Sequence, residues 1–216
     1  MACEAAGGVG TRPCLFVPAG ILDPGANRST SAHALLVENG RIEALVPKAE
    51  AESVDGSVER RICARSWIVP GFVNMHEYLS VDPDRPDPMG RMFSPDIPGR
   101  SWSAARSLAK DIASGVTTMR IMGEGDSFDS RVSAAVASGE LVGPALVTSG
   151  FPITPSHGHQ RGSRGFDGRG QIRKAVRRNL RDGVDWIKAV LTGGVNARGL
   201  GPRDPAYSRE EIRTVV

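Results

Sequence analysis

Residues 65–80 read RSWIVPGFVNMHEYLS, and the reading of the fold turns on them. The run WIVPGFVNM (67–75) is short, apolar and rich in Val, Ile and aromatics, which predicts a strand. Beyond it, short apolar runs alternate with segments of helical period. GVTTMRIM (115–122), PALVTSG (144–150) and VDWIKAVL (184–191) read as further strands. Segments 101–114, 126–139 and 169–182 read as helices, and a fourth begins at about Ser208, where Glu211 three residues on completes a capping box. Such alternation marks repeated βα units around a parallel sheet. His76 ends the first strand, so its ring stands at the C-terminal mouth of the sheet, where α/β folds place reacting groups. An imidazole there is a good ligand for zinc or a similar divalent ion.

Upstream of Trp67 the pattern differs. CLFV (14–17), HALLV (33–37), RIEALV (41–46) and VERRIC (58–63) are short apolar runs broken by turn residues, as in a small β-domain. Asn39-Gly40 tolerates the positive φ of a two-residue type I′ turn, which predicts a hairpin between the second and third runs. On the other side of the opening stretch, Leu79–Arg100 holds Pro83, Pro86, Pro88, Pro95 and Pro98. That much proline forbids a regular element and predicts a long loop of the kind that covers a site.

Composition excludes several function classes. The 216 residues are 40% hydrophobic, enough to bury a core, and the net charge of +3 with interspersed acidic residues argues against a nucleic-acid partner. No stretch approaches the ~20 apolar residues of a membrane span, and MACEAAGGVG lacks the basic and apolar regions of an export signal. Cys3, Cys14 and Cys63 are odd in number and widely spaced, unlike a disulfide framework or a Cys-rich zinc site. The expectation is a cytoplasmic protein with no membrane partner. Gly123-Glu124-Gly125 follows a strand but has Phe128 where a third glycine belongs, so nucleotide binding is not expected there. Arg173, Arg177 and Arg181, beside Lys174 and Arg178, read as the solvated face of an outer helix, and His33 as a strand residue without chemistry. Against 23 arginines the chain has only four lysines, so Lys188 in a strand is worth weighing.

In order and spacing, ENGRIEALVP (38–47), RSWIVPGFVNMHEYLS (65–80), GVTTMRIMGEGDS (115–127), GPALVTSGFPITPSHGH (143–159) and DGVDWIKAVLTGG (182–194) resemble the opening of the amidohydrolase superfamily. The likeness is to the branch with imidazolonepropionase-like and Xaa-Pro dipeptidase-like members. The resemblance implies an α/β fold: a small β-sandwich domain (1–66), then the first four βα units (67–216) of a partial (β/α)8 TIM-like barrel. It implies a metal-dependent hydrolase of small-molecule carbon–nitrogen bonds, in a non-peptide amide, a cyclic amide or a dipeptide-like substrate, with one or two divalent ions, zinc foremost. His76 matches the first histidine of a His-x-His metal pair. Lys188 matches the strand-four lysine that, as a carbamate, bridges two ions and is at once metal ligand and catalytic residue. The chemistry is sensible, because a lysine buried beside cations has a depressed pKa and its neutral amine can take up carbon dioxide. His157 and His159 match a glycine-histidine loop that lies near the substrate.

Two departures stand beside these matches. Tyr78 replaces the second histidine of the pair, and a phenol of pKa about 10 is a poor ligand at neutral pH. Glu77 belongs to the opposite face of the strand. The family's later ligands, two histidines on strands five and six and an aspartate on strand eight, have no counterpart before Val216. A complete barrel takes about 250 residues, so either a missing C-terminal half or a homo-oligomer is the expected complement. The other reading is a truncated or degenerate non-catalytic relative with a partner-binding role.

Overall fold

A computed structural model describes residues 12–84, 86–88, 90–159, 164–194 and 199–216; Cys3 and the segment MACEAAGGVG lie outside them. The chain divides into two compact units, Met1–Pro70 and Gly71–Val216.

In the first unit five strands form one mixed sheet: β1 (Cys14–Asp23), β2 (Arg28–Thr30), β3 (His33–Glu38), β4 (Arg41–Pro47) and β5 (Glu59–Ile68). β1 is the hub, antiparallel to β2 and β3 and parallel to β5. Asn39 and Gly40 have φ of 50° and 73° and pair Glu38 with Arg41, as the predicted turn requires. Leu15, Ala34 and Ala51 are buried, with Val17, Leu36 and Val46 packed on them. The expected sandwich is here a single sheet among the described residues, and β2 had no apolar signal to announce it. β5 runs on to Ile68, so Trp67 and Ile68 belong to this sheet and not to the strand that follows. The reason is local: the Trp67 ring lies 2.6 Å from where a Cβ on Gly20 would sit, a close approach only glycine permits.

The second unit is built on three parallel strands, β6 (Phe72–Glu77), β7 (Val116–Ile121) and β8 (Ala145–Val147), in that order across the sheet. α1 (Ile97–Ala113) connects the first two and α2 (Phe128–Ala137) the next two. Met119, Ile121 and Leu146 turn to the helices and are buried with Leu79, Ala104, Leu108, Phe128 and Val132. Each of the larger apolar side chains buried there contributes roughly 1.5–3 kcal/mol. α1 starts four residues earlier than the sequence suggested. The Asp96 carboxylate accepts the Gly99 N–H, and Pro98 sits in the first turn, where its missing N–H costs nothing. α3 (Gly168–Arg181) and α4 (Arg209–Val215) follow, the latter opened by the predicted reciprocal Ser208/Glu211 box. A second core of Ile153, Ile172, Ala175 and Tyr207 lies under them.

The fourth predicted strand is a correction. Residues 184–191 pass alongside 148–153 but share only one parallel bridge, Ile153 with Ala189. The partner segment explains it: Gly150 has φ of 69°, and Pro152 and Pro155 lack the N–H a ladder needs. For the same reason β8 ends at Val147 and not at Gly150.

Candidate functional site

β6 carries His76 to its C-terminal end through an irregularity. Asn74 lies opposite Met119 and Glu77 opposite Ile121, so three steps on β6 match two on β7. Glu77 thus shares the face of buried Ile121, and its carboxylate accepts Asn74 Nδ2 (2.8 Å) and the Tyr78 N–H (3.0 Å). His76 takes the other direction: Nε2 is 3.3 Å from Tyr78 Oη, with the rings edge-to-face at 5.5 Å. The two residues that close the strand therefore meet each other.

Lys188 lies level with Ile153, which donates its N–H to the Lys188 carbonyl at 2.8 Å. Ile187 packs on the helix side with Ile153 and Ile172, so Trp186 and Lys188, its neighbours in an extended segment, face the other side. Arg120 faces that side too, between buried Met119 and Ile121, and its guanidinium stacks on the Trp186 ring at 3.7 Å. Burial, and then the Arg120 charge, push the Lys188 amine below the usual lysine range.

The structure separates the two loop histidines. The His159 ring lies against Gly194, in the turn just after the Lys188 segment, where a Cβ would overlap it; its Nδ1 is buried with no hydrogen-bond partner. Thr154 Oγ1 donates to the His159 carbonyl at 2.9 Å and fixes the loop. His157 is exposed and turns towards Asp167, whose carboxyl is held below its usual range by the Ser156 N–H first and by His157 last. His159 is thus joined to the strand-four end, whereas His157 is not.

Buried polar groups hold the strand exits in place. Asp129 Oδ2 accepts the Ser149 and Gly150 N–H groups, both at 2.8 Å, and Asn179 bonds Phe151 on both sides, while the exposed Asp185 accepts from Thr148. After β7, Glu124 accepts the N–H (2.9 Å) and hydroxyl (2.7 Å) of Ser80, which follows β6, and pairs with Arg100 at 3.4 Å, both side chains fully buried. Arg100 also donates to the Gly125 carbonyl at 2.8 Å and lies over Phe128. Gly123-Glu124-Gly125 is thus a structural turn. Sequence reasoning missed Arg100, Glu124 and Arg120. Arg120 carried a signal, a cation alternating with apolar residues in a strand, while Arg100 sat in a helix whose facing partner is 24 residues away.

As a set, the described residues do not fit a divalent ion. No three His, Cys, Asp or Glu side chains converge among them, and the phenol of Tyr78 occupies the side of the His76 imidazole that a second ligand would take. No helix among the described residues is long and apolar enough to cross a membrane.

The amidohydrolase family profile matches residues 67–216. Ochratoxinase of Aspergillus niger is 24% identical over 232 residues, covering 93% of this chain and 47% of that protein. Imidazolonepropionase of Chromobacterium violaceum is 37% identical over 73 residues, 32% of this chain and 18% of that protein. Among solved structures, a prolidase in complex with N-methylphosphonate-L-proline superposes with a TM-score of 0.80 at 23% identity, covering 94% of this chain and 52% of the other. The chain spans about half the length of the ochratoxinase it matches.

Proposed function

Because the chain belongs to the amidohydrolase family, whose relatives hydrolyse carbon–nitrogen bonds, we propose that it is part of a hydrolase acting on the C–N bond of a small molecule: a non-peptide amide, a cyclic amide or a dipeptide-like compound. The observation that carries this reading is the family match over residues 67–216, a span that includes His76 and Lys188. In this reading residues 67–216 are the N-terminal half of a barrel, preceded by the small β-domain of residues 1–66. The family generally uses divalent metals, and zinc is our choice of ion. His76 and Lys188 are the donors this chain contributes, with further ligands required from elsewhere.

The Lys188 amine, its proton held less firmly by burial and Arg120, attacks carbon dioxide; the new N–C bond makes a carbamate anion and one proton leaves to solvent. The Arg120 guanidinium, on the same side of the sheet, favours that anion over the ammonium it replaces. His159, against the turn after Lys188, supports the substrate from the strand-three loop, and His157 is the outer contact of the same loop.

The experiment is hydrolysis of N-acyl amino acids, dipeptides and cyclic amides with metal content measured alongside, in the wild type, Lys188→Ala and Tyr78→His. The reading expects more zinc in Tyr78→His than in the wild type, and slower amine release in Lys188→Ala. A second reading, a degenerate non-catalytic relative that binds a partner, is favoured by the Tyr78 phenol 3.3 Å from His76. Zinc as low in Tyr78→His as in the wild type would count against the metal site of the first reading and favour the second.

A further inference from the structure

Four cationic residues of α3, Lys174, Arg177, Arg178 and Arg181, recur at i, i+3, i+4 and i+7 and so form one stripe. With Arg164 they line a single open cavity of about 540 Å3, to which Phe166 and Ala175 also contribute.

Their charge is only partly compensated from within, by Asp182, whose carboxyl is held below its usual range by the Ser127 hydroxyl first and then by Arg181 and Arg178. Arg181 pairs with Asp182 at 2.9 Å, but among the described residues none of Arg164, Lys174, Arg177 and Arg178 forms an ion pair. The nearest carboxylates are committed elsewhere. Asp167 accepts the Ser156 N–H, Glu211 accepts from Gly168 and Ser208, and Asp182 also accepts from Ser127. Arg178 is held over the rings of Phe151 (5.0 Å) and Phe166 (5.8 Å), and its Nη2 is buried with no hydrogen-bond partner. A buried donor without an acceptor is costly, and like charges around one hollow repel. An anion with several acceptor oxygens relieves both.

We propose that this cavity binds a small phosphate-bearing ligand. Guanidinium forks match phosphate oxygens two at a time, and four unpaired cations balance the charge of a diphosphate better than that of one carboxylate. The volume lies within the roughly 300–1,000 Å3 range of small-ligand sites, and Phe166 and Ala175 offer apolar contact to an organic portion. A nucleic acid is a poorer fit, because the cations gather in one hollow instead of tracking along a groove with aromatic platforms.

The test is isothermal titration of the full chain in ~0.15 M salt with inorganic pyrophosphate as the probe, and with orthophosphate, a nucleoside diphosphate and citrate as comparisons. One pyrophosphate per chain is expected, with citrate weaker, and Lys174→Glu/Arg177→Glu weakens pyrophosphate at least tenfold. Both residues are exposed on α3, so the unliganded melting temperature of that variant stays near wild type; Lys174→Gln/Arg177→Gln serves if it does not. A nucleoside diphosphate that outbinds pyrophosphate shows that the organic part is read as well, and equal affinity shows that phosphate alone is. Equal pyrophosphate binding by wild type and variant overturns the proposal. So does no binding at millimolar probe, or binding of poly-glutamate or an oligonucleotide with none of pyrophosphate.

Discussion

Glu124 shows what burial does to a single side chain. Desolvation, offset by the Ser80 hydrogen bonds and the Arg100 charge and reinforced by Asp129, raises its carboxyl from 4.5 to about 7. Between those pH values the folded protein holds a proton that the unfolded chain has lost. The stability it contributes is complete below pH ~4.5 and is lost as pH rises through about 7. Melting temperature is therefore expected to decline from pH 5 to 8 in the wild type, and Glu124→Gln to flatten that decline; parallel curves for the two proteins would refute the assignment. Gly194 makes a second point at this scale. A methyl there overlaps the His159 ring, so Gly194→Ala is expected to displace the histidine at a cost of about 1–3 kcal/mol. If the loop histidine serves the hydrolytic site, KM rises in this variant more than kcat falls, which a substrate titration reads directly.

Among the elements, α1 depends on its start. Asp96 satisfies an otherwise orphaned N–H of the first turn, and Asp96→Ala is expected to cost about 1 kcal/mol, measurable by urea denaturation. Asp96→Asn, which keeps the acceptor, should recover most of it. The elements also show which local signals could be trusted. The Asn39-Gly40 hairpin and the Ser208/Glu211 box were legible because each is decided by atoms within a few residues. The extent of the fourth strand was not, because its fate rests on Gly150 and Pro152 in the partner segment, over thirty residues earlier in the chain. The start of α1 was misjudged because its proline density reads as loop, and only the Asp96 cap shows where Pro98 becomes harmless.

At the level of the molecule, β6 lies at one end of its sheet, and Phe72, Val73 and Met75 are 60%, 56% and 56% exposed. An apolar strand with an unpaired edge recruits other chains. The 216-residue chain is expected to self-associate in size-exclusion chromatography, and Val73→Thr/Met75→Lys to shift it towards monomer. A monodisperse wild-type monomer with one cooperative melt would contradict this.

The amino-acid order alone determined the βα rhythm, the β-rich first unit, the hairpin and the identity of the strand-end candidates, because periodicity and turn chemistry act over short spans. It also carried the family likeness, which the profile match over residues 67–216 bears out. Only the tertiary structure decided that His159 joins the Lys188 turn while His157 turns away, that Tyr78 meets His76, that Arg120 faces the lysine's side, and that Arg100 and Glu124 are buried as a pair. Those outcomes depend on which groups remote segments bring into contact and on the water that contact excludes, and no window of sequence contains either.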